Sequence, residues 1–391
     1  MKKDSQVVSA GRAPEKHSGV VNPPVYHAST VLFPTVAALR KAIRTPFEGV
    51  YYGRIGTPTS FAFEEAITEL EGGHRTVSVS SGLAAITIAL MATLKGGDHL
   101  LMVDTTYNPT RKFCETTLAH SGIETTFYDP LVGAHIADLI RPETKVIYLE
   151  SPGSLTFEIQ DVAAIAGVAR DRGILTIMDN TYATPLFFQP FKHGVDVIVH
   201  AATKYIAGHA DAMLGAIVTR DKKTFDAIKT MAVDLGNSAG AEELFLGLRG
   251  LRTLSVRLAR HQETGIKLAK WLAARPEVAR VIHPALPGDA NHELWKRDFS
   301  GANGLFAMIL RPASDAAICA MLDGMKHFGM GFSWGGFESL ILPVEPWISR
   351  TATRWAETGP YIRLHAGLED VEDLIADLEA GFERLRKAGR A

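Results

Sequence analysis

Cysteine is nearly absent from this chain: Cys114 and Cys319 are the only two among 391 residues. Two lone thiols make neither a disulfide framework nor a thiolate metal site, and they suit a reducing compartment, so a cytoplasmic protein is expected. An excess of either charge is also missing. Lys and Arg total 41 against 43 Asp and Glu, a net charge of −2. Nothing there attracts nucleic acid or an anionic membrane. The longest apolar run, near Leu83 to Leu94, falls well short of the roughly 20 residues that span a bilayer. The opening Met1-Lys2-Lys3-Asp4 carries a basic pair with no apolar segment behind it, so no signal peptide is expected. Repeats and low-complexity tracts are lacking. So are G-x-G-x-x-G and Walker A sequences, which weakens dinucleotide and nucleotide readings. His200 and His209 have no metal-ligand spacing, and no metal is expected.

What is present is the composition of a globular protein, 46% hydrophobic and 21% charged, long enough for two or three domains. Residues 1–57 are rich in Pro, Gly and short polar stretches, and read as an extended arm. Alternating helical and strand patterns follow over 58–250. Phe61 to Leu70 has helical spacing and stops at Gly72-Gly73. Leu83 to Leu94 is apolar on nearly every face and reads as a buried helix. Thr76–Val79 is strand-like, and Leu100–Val103, Val146–Leu149, Ile174–Met178 and Val195–Val199 are short apolar runs bounded by turn residues. Such runs, separated by helices, are the pattern of parallel strands buried on both faces. The spacing predicts one long helix over Ala241–Ala273, then a smaller α+β domain over 251–391 with strands at Gly304–Leu310 and Tyr361–His365. The fold class is α/β, with a mostly parallel central sheet covered by helices on both faces.

Ligands of open parallel sheets gather at the carboxyl ends of the strands, so the residues that follow each run matter most. Asp104-Thr105-Thr106-Tyr107 follows one, Asp179-Asn180-Thr181-Tyr182 another, and His200-Ala201-Ala202-Thr203-Lys204 a third. An acid, a tyrosine and a lysine can therefore meet on one rim. A carboxylate such as Asp179 at a doubly covered strand end calls for a cation; a protonated ring nitrogen would serve, and so would a helix cap or a salt bridge. A partly buried Lys204 would be a nucleophile toward carbonyls and could hold an aldehyde cofactor as a Schiff base, though a surface lysine at a loop start is the plain alternative. Ser80-Ser81-Gly82-Leu83 leads from a strand into the buried helix and offers free N–H groups to an anion, with Thr203 able to add a hydroxyl. Tyr52 and Arg54 sit in the arm, where Arg54 could fork onto a phosphate or simply lie exposed. Arg363, in the run Tyr361–His365, suits a carboxylate from protein or substrate. Trp334, in the loop Ser333-Trp334-Gly335-Gly336, shapes a pocket or fills a core.

In combination these residues resemble the Cys/Met-metabolism family of pyridoxal 5′-phosphate (PLP) enzymes. The likeness runs over nearly the whole chain, through Tyr52-Gly53-Arg54, Ser81-Gly82-Leu83, Tyr107, Asp179-Asn180-Thr181, Thr203-Lys204-Tyr205 and Arg363-Leu364-His365. The resemblance implies the type I PLP-transferase fold, of the aspartate aminotransferase kind. It implies Lys204 as the lysine that carries PLP, Asp179 as partner of the ring nitrogen and Tyr107 as the aromatic over the ring. Gly82, Leu83 and Thr203 are implied phosphate ligands, joined by Tyr52 and Arg54 from a neighbouring subunit. Arg363, assisted by Ser333, is the implied clamp for the substrate carboxylate. A homo-oligomer follows, a tetramer built from dimers that share their sites.

Glu150-Ser151-Pro152-Gly153-Ser154 and Ser333-Trp334-Gly335-Gly336 resemble the bacterial branch that breaks the Cβ–S bond of L-cystathionine. That implies homocysteine, pyruvate and ammonia as products, with Lys204 and Tyr107 as the acid–base groups, and other cysteine S-conjugates as further substrates. The γ-synthase and γ-lyase branches are the near alternatives. A PLP aminotransferase or a non-catalytic regulatory protein is more distant. Two positions depart from relatives: Ala201 stands where many carry a phosphate-binding serine, and Pro109 replaces the cysteine typical of methionine γ-lyases.

Overall fold

The helix Pro58–Glu71 shows how local chemistry sets the first packed element. Thr57 caps it through a capping box with Ser60, Pro58 takes the first turn, and Gly72 ends it in the left-handed region at φ 76°. The structure, a computed structural model, describes residues 1–345 and 350–389.

Two sheets organise the chain. The first contains β1 (Arg75–Val79), β2 (His99–Val103), β3 (Glu124–Tyr128), β4 (Thr144–Glu150), β5 (Leu175–Asp179), β6 (Val197–Ala201) and β7 (Gly215–Thr219), in the order β1-β7-β6-β5-β4-β2-β3. β7 runs antiparallel to both neighbours; the remaining pairings are parallel. Separate apolar clusters cover the two faces, one around Phe63, Leu101 and Leu149 and one around Ile88, Leu100 and Val146. The mostly parallel, doubly covered sheet expected from the apolar runs is what forms. The second sheet contains β8 (Val278–Ile282), β9 (Leu305–Leu310), β10 (Phe328–Gly329), β11 (Ser339–Val344) and β12 (Tyr361–His365), in the order β10-β11-β12-β9-β8. Helices Asp315–Leu322 and Val371–Ala388 pack together beside it.

Two expectations are corrected. The long helix over 241–273 is two helices, Ala241–Leu251 and Leu254–Ala273. At the break, the Arg252 guanidinium turns away to donate to Val7 O and Ala10 O. Gly250 there runs so close to the chain that a Cβ would lie 2.3 Å from the carbonyl oxygens of Ile206 and Ala207. Composition blurs the boundary near 250 because helix Leu254–Ala273 belongs to two cores: Leu254 and Leu258 pack with the first sheet, Leu268 and Leu272 with the second. The arm, for its part, is not extended from the start. Lys3–Ser9 is helical, and Val7 and Ala10 are buried in the first core. Further on, helix Val36–Arg44 buries none of its residues and leaves Val36, Leu39 and Ile43 on the surface.

Candidate active site

Asp179 and Glu150 are register partners at the ends of adjacent parallel strands, so the sheet itself sets two carboxyls side by side. Thr181 N–H donates to Asp179 Oδ1 at 2.8 Å. Tyr107 N–H and the Thr106 hydroxyl donate to Glu150 Oε2 at 2.8 and 3.2 Å. Neither acid has a salt-bridge partner among the described residues. Burial and then the charge of Asp179 push the pKa of Glu150 well above the carboxylate range. Burial also raises Asp179, against the hydrogen bonds of Thr181 and the more distant pull of His200 and Lys204. Two like charges this close cannot both ionise cheaply.

Lys204 follows β6 in a segment held from beneath. Arg257, 5% exposed, donates to Tyr205 O at 2.7 Å and to Gly250 O at 2.8 Å. Burial, reinforced by the charge of Arg363 and opposed by Asp179, lowers the pKa of Lys204 to about 8. Its ammonium donates to the Ser333 hydroxyl and lies 5.5 Å from the centre of the Trp334 ring. Ser333, at φ 86°, occupies the left-handed region that disfavours a side chain. Arg363 Nη2 donates to Ser333 O at 3.0 Å. Trp334 fills space as well as facing the site, packing against Tyr205 and Tyr182 at centroid distances of 5.4 and 6.4 Å. Tyr107, 46% exposed, starts helix Asn108–Phe113; burial, then Glu150 and Asp179, raise its phenol while Arg363 opposes them. It is therefore a proton donor rather than a phenolate at neutral pH.

The helix Gly82–Thr93 supplies the anion end. Ser81 Oγ accepts Ala84 N–H at 3.1 Å and Ser81 O accepts Ala85 N–H at 3.0 Å, which leaves the first-turn N–H groups of Gly82 and Leu83 for a ligand. Its start is pressed against β6: a Cβ on Gly82 would lie 2.3 Å from that of Ala201. Thr203 is less free than expected. Its hydroxyl accepts Leu214 N–H at 2.9 Å and donates to Leu214 O at 3.3 Å.

These features fit a PLP-like group. A buried carboxylate without a cation suits a protonated ring nitrogen, a lysine with a lowered pKa suits an aldehyde carbon, and a helix start suits a phosphate. Among the described residues no group of His, Cys, Asp and Glu could hold a metal.

The structure thus gathers Lys204, Ser333, Trp334 and Arg363 by direct contact, with Asp179 and Tyr107 close enough for their charges to act. Tyr52 and Arg54 are elsewhere. Arg54 donates to Val233 O, and both residues line a cavity of about 460 Å³ with Tyr26, His27 and Asn237, away from Lys204. Sequence reasoning missed Glu150, although an acid directly after Val146–Leu149 carries the same signal as Asp179. It also gave no role to Arg257, which carries no periodic or motif signal, or to His365, although His365 closes the motif Arg363-Leu364-His365.

A family model for Cys/Met metabolism PLP-dependent enzymes matches residues 4–383. The putative cystathionine beta-lyase of Rhizobium johnstonii is 46% identical over 384 residues, 97% of this chain and 95% of its own. Cystathionine beta-lyase MetC of Escherichia coli is 43% identical, over 98% and 99%. Among solved structures, cystathionine gamma synthase from Xanthomonas oryzae pv. oryzae, in complex with aminoacrylate and cysteine, aligns with a TM-score of 0.91 at 31% identity, covering 99% of each chain.

Proposed function

We propose that this chain, which belongs to the Cys/Met metabolism PLP-dependent enzyme family, is the carbon–sulfur lyase that splits L-cystathionine into homocysteine, pyruvate and ammonia. It uses PLP. The observation that carries the reading is the lysine of lowered pKa set between a carboxylate without a cation and an arginine with a carbonyl for its partner.

Bound, PLP would supply a sink for the electrons left at Cα once its proton is removed. Lys204 and Asp179 would hold it at carbon and ring nitrogen, and Gly82 and Leu83 at the phosphate, with Thr203 assisting once its hydroxyl turns from Leu214. Arg363, held on Ser333 O, receives the substrate carboxylate and fixes Cα near Lys204. The Lys204 amine takes the Cα proton. As the Cβ–S bond breaks, Lys204 or the Tyr107 phenol gives a proton to the departing sulfur, and water then completes the release of pyruvate and ammonia. Trp334, wedged against Tyr182 and Tyr205, narrows the poses open to the far end of the substrate. Product analysis with L-cystathionine tests this reading. Pyruvate with homocysteine is expected; 2-oxobutyrate with cysteine would move the chain to the γ-lyase reaction.

The reading includes a three-part chain, an arm over 1–57, a PLP domain over 58–250 and a smaller domain over 251–391, working in the cytoplasm. Among the described residues no helix is long and apolar enough to cross a membrane. It also includes a homo-oligomer, a tetramer of dimers, in which Tyr52 and Arg54 reach a neighbour's phosphate. Their separation from Lys204 in their own chain and the bare apolar side of helix Val36–Arg44 support this. Hybrids of Arg54→Ala and Lys204→Ala chains should recover activity that each homo-oligomer lacks. Subunit exchange without recovery would sink the shared site.

A further inference from the structure

Arg363 and His365 lie two apart on β12, so they point to the same face of the strand. That face meets the turn Ser333-Trp334-Gly335-Gly336. Arg363 holds one end through Ser333 O. His365 holds the next residue but one: its Nε2 lies 3.0 Å from the backbone nitrogen of Gly335. Its Nδ1 lies 3.1 Å from Glu338 O, a carbonyl that can only accept. The proton must therefore sit on Nδ1, leaving Nε2 as an acceptor for Gly335 N–H. Only the neutral ring with this tautomer satisfies both bonds.

The pinned turn bears directly on Lys204. Gly335 has φ +86°, and a Cβ there would lie 2.9 Å from Tyr205 N and 3.1 Å from Lys204 Cα, so the turn rests on the lysine's own backbone. Ser333, also in the left-handed region, takes Lys204 on its hydroxyl and Arg363 on its carbonyl. Gly335 adopts this region freely, but the conformation of Ser333 is unfavourable for a residue with a side chain and persists only when the surroundings over-determine it. The surroundings of His365 keep it neutral. It is 1% exposed, its ring centre lies 5.2 Å from that of His261 and 6.0 Å from that of Tyr205, and burial first and His261 next hold its pKa well below the histidine range.

We propose that His365 is a positioning residue: as a neutral acceptor it fixes Gly335 and so sets Ser333 and Trp334 against Lys204 and Arg363. It touches neither substrate nor cofactor. The inference rests on the site assignment above but not on which bond of the substrate breaks.

Two substitutions separate acceptor from bulk. His365→Asn keeps a polar group near the Nδ1 position and drops the acceptor at Nε2. His365→Gln places an amide oxygen near Nε2. Hydrogen exchange of the PLP-loaded protein reads the pin without substrate. In His365→Asn the peptide covering 333–338 should exchange roughly tenfold faster, the scale set by one lost buried hydrogen bond, while Leu305–Leu310 stays protected. The KM for L-cystathionine should rise by a similar factor as Ser333 and Arg363 lose their common register. His365→Gln should recover most of both. Equal behaviour of the two variants, or unchanged exchange over 333–338 in His365→Asn, would overturn the proposal. So would faster exchange everywhere with an unchanged KM, since that is a packing role. If the wild type does not cleave cystathionine, the β-lyase reading fails, and the exchange comparison still decides the role of His365.

Discussion

Asp104 follows β2 and Asp179 ends β5, two strands of the same sheet with β4 between them, and the segments read alike: Asp104-Thr105-Thr106-Tyr107 and Asp179-Asn180-Thr181-Tyr182. The fold treats them as opposites. Asp104 is saturated. It accepts from Arg111, from the backbone N–H groups of Thr351, Ala352 and Thr353, and from the hydroxyls of Thr351 and Thr353. Burial alone would raise its pKa, but the Thr351 hydrogen bond, Arg111 and Thr353 outweigh that and bring it down. Asp179 has Thr181 alone as a hydrogen-bonding donor and a raised pKa. The first acid is a finished structural knot tying residues 351–353 beside the Tyr107 turn; the second is a buried carboxyl with one donor, which the proposed function pairs with a protonated ring nitrogen. The tyrosines invert the pattern. Tyr182 is enclosed and spends its hydroxyl on Leu305 O at 2.9 Å, whereas Tyr107 opens to the site. A strand-end acid becomes functional not by being buried but by being buried without a partner.

Swapping damage between the two acids tests that distinction most sharply. Asp179→Ala should lower kcat/KM by a hundredfold to several thousandfold, since about 3–5 kcal/mol is lost when one member of a buried charge pair is removed. The cofactor-free protein should not melt lower, because an uncompensated carboxylate has gone. Asp104→Ala should do the reverse, costing about 3–5 kcal/mol of unfolding free energy by leaving Arg111 buried with only the half-exposed Glu115 as its partner. Denaturant midpoints of both cofactor-free variants, set beside their kinetics, check the pair. Equal destabilisation by the two would erase the difference argued here. Arg363→Ala ranks next. It should raise KM by the equivalent of about 2–5 kcal/mol while PLP still loads, as expected when a charge is left facing no partner. An unchanged KM would make Arg363 a support for Ser333 and nothing more.

Sequence made much of this legible where one periodicity dominates. Four short apolar runs became strands within a residue or two, because doubly buried parallel strands leave no competing pattern; the strand-like Thr76–Val79 also formed a strand, but an edge one paired antiparallel to β7. The strand-end rule then singled out Asp179, Lys204 and Tyr107, which the fold brings within reach of one another's charges. It could not rank Asp104 against Asp179, because all the donors to Asp104 other than Arg111 come from residues 351–353, nearly 250 positions away. The role of His365 was illegible for a related reason. Its partners are a glycine N–H and the Glu338 carbonyl on a loop about 30 residues back, contacts without periodicity. The long helix failed at Thr253, where the backbone leaves the helical region at φ −113° and ψ 9°, next to Gly250 pressed on the carbonyls of Ile206 and Ala207, a tertiary contact without periodicity.

The smallest effect probes the field between the two halves of the site. Lys204 captures an aldehyde only as the free amine, and with a pKa of about 8 it is mostly ammonium at pH 7. The rate at which cofactor-free protein takes up PLP should therefore rise as pH approaches 8 and level off above it. Charges near Lys204 should shift the break in a fixed direction. Arg363 lowers the lysine pKa, so Arg363→Ala should move the break to higher pH; Asp179 raises it, so Asp179→Asn should move it lower. Each shift is a fraction of the burial effect, which is the dominant cause and is common to all three proteins. Stopped-flow absorbance of PLP uptake across pH reads all three breaks. Movement of both in the same direction would mean that the variants act by opening the site to water, and that Asp179 carries no charge that Lys204 feels before its cation arrives.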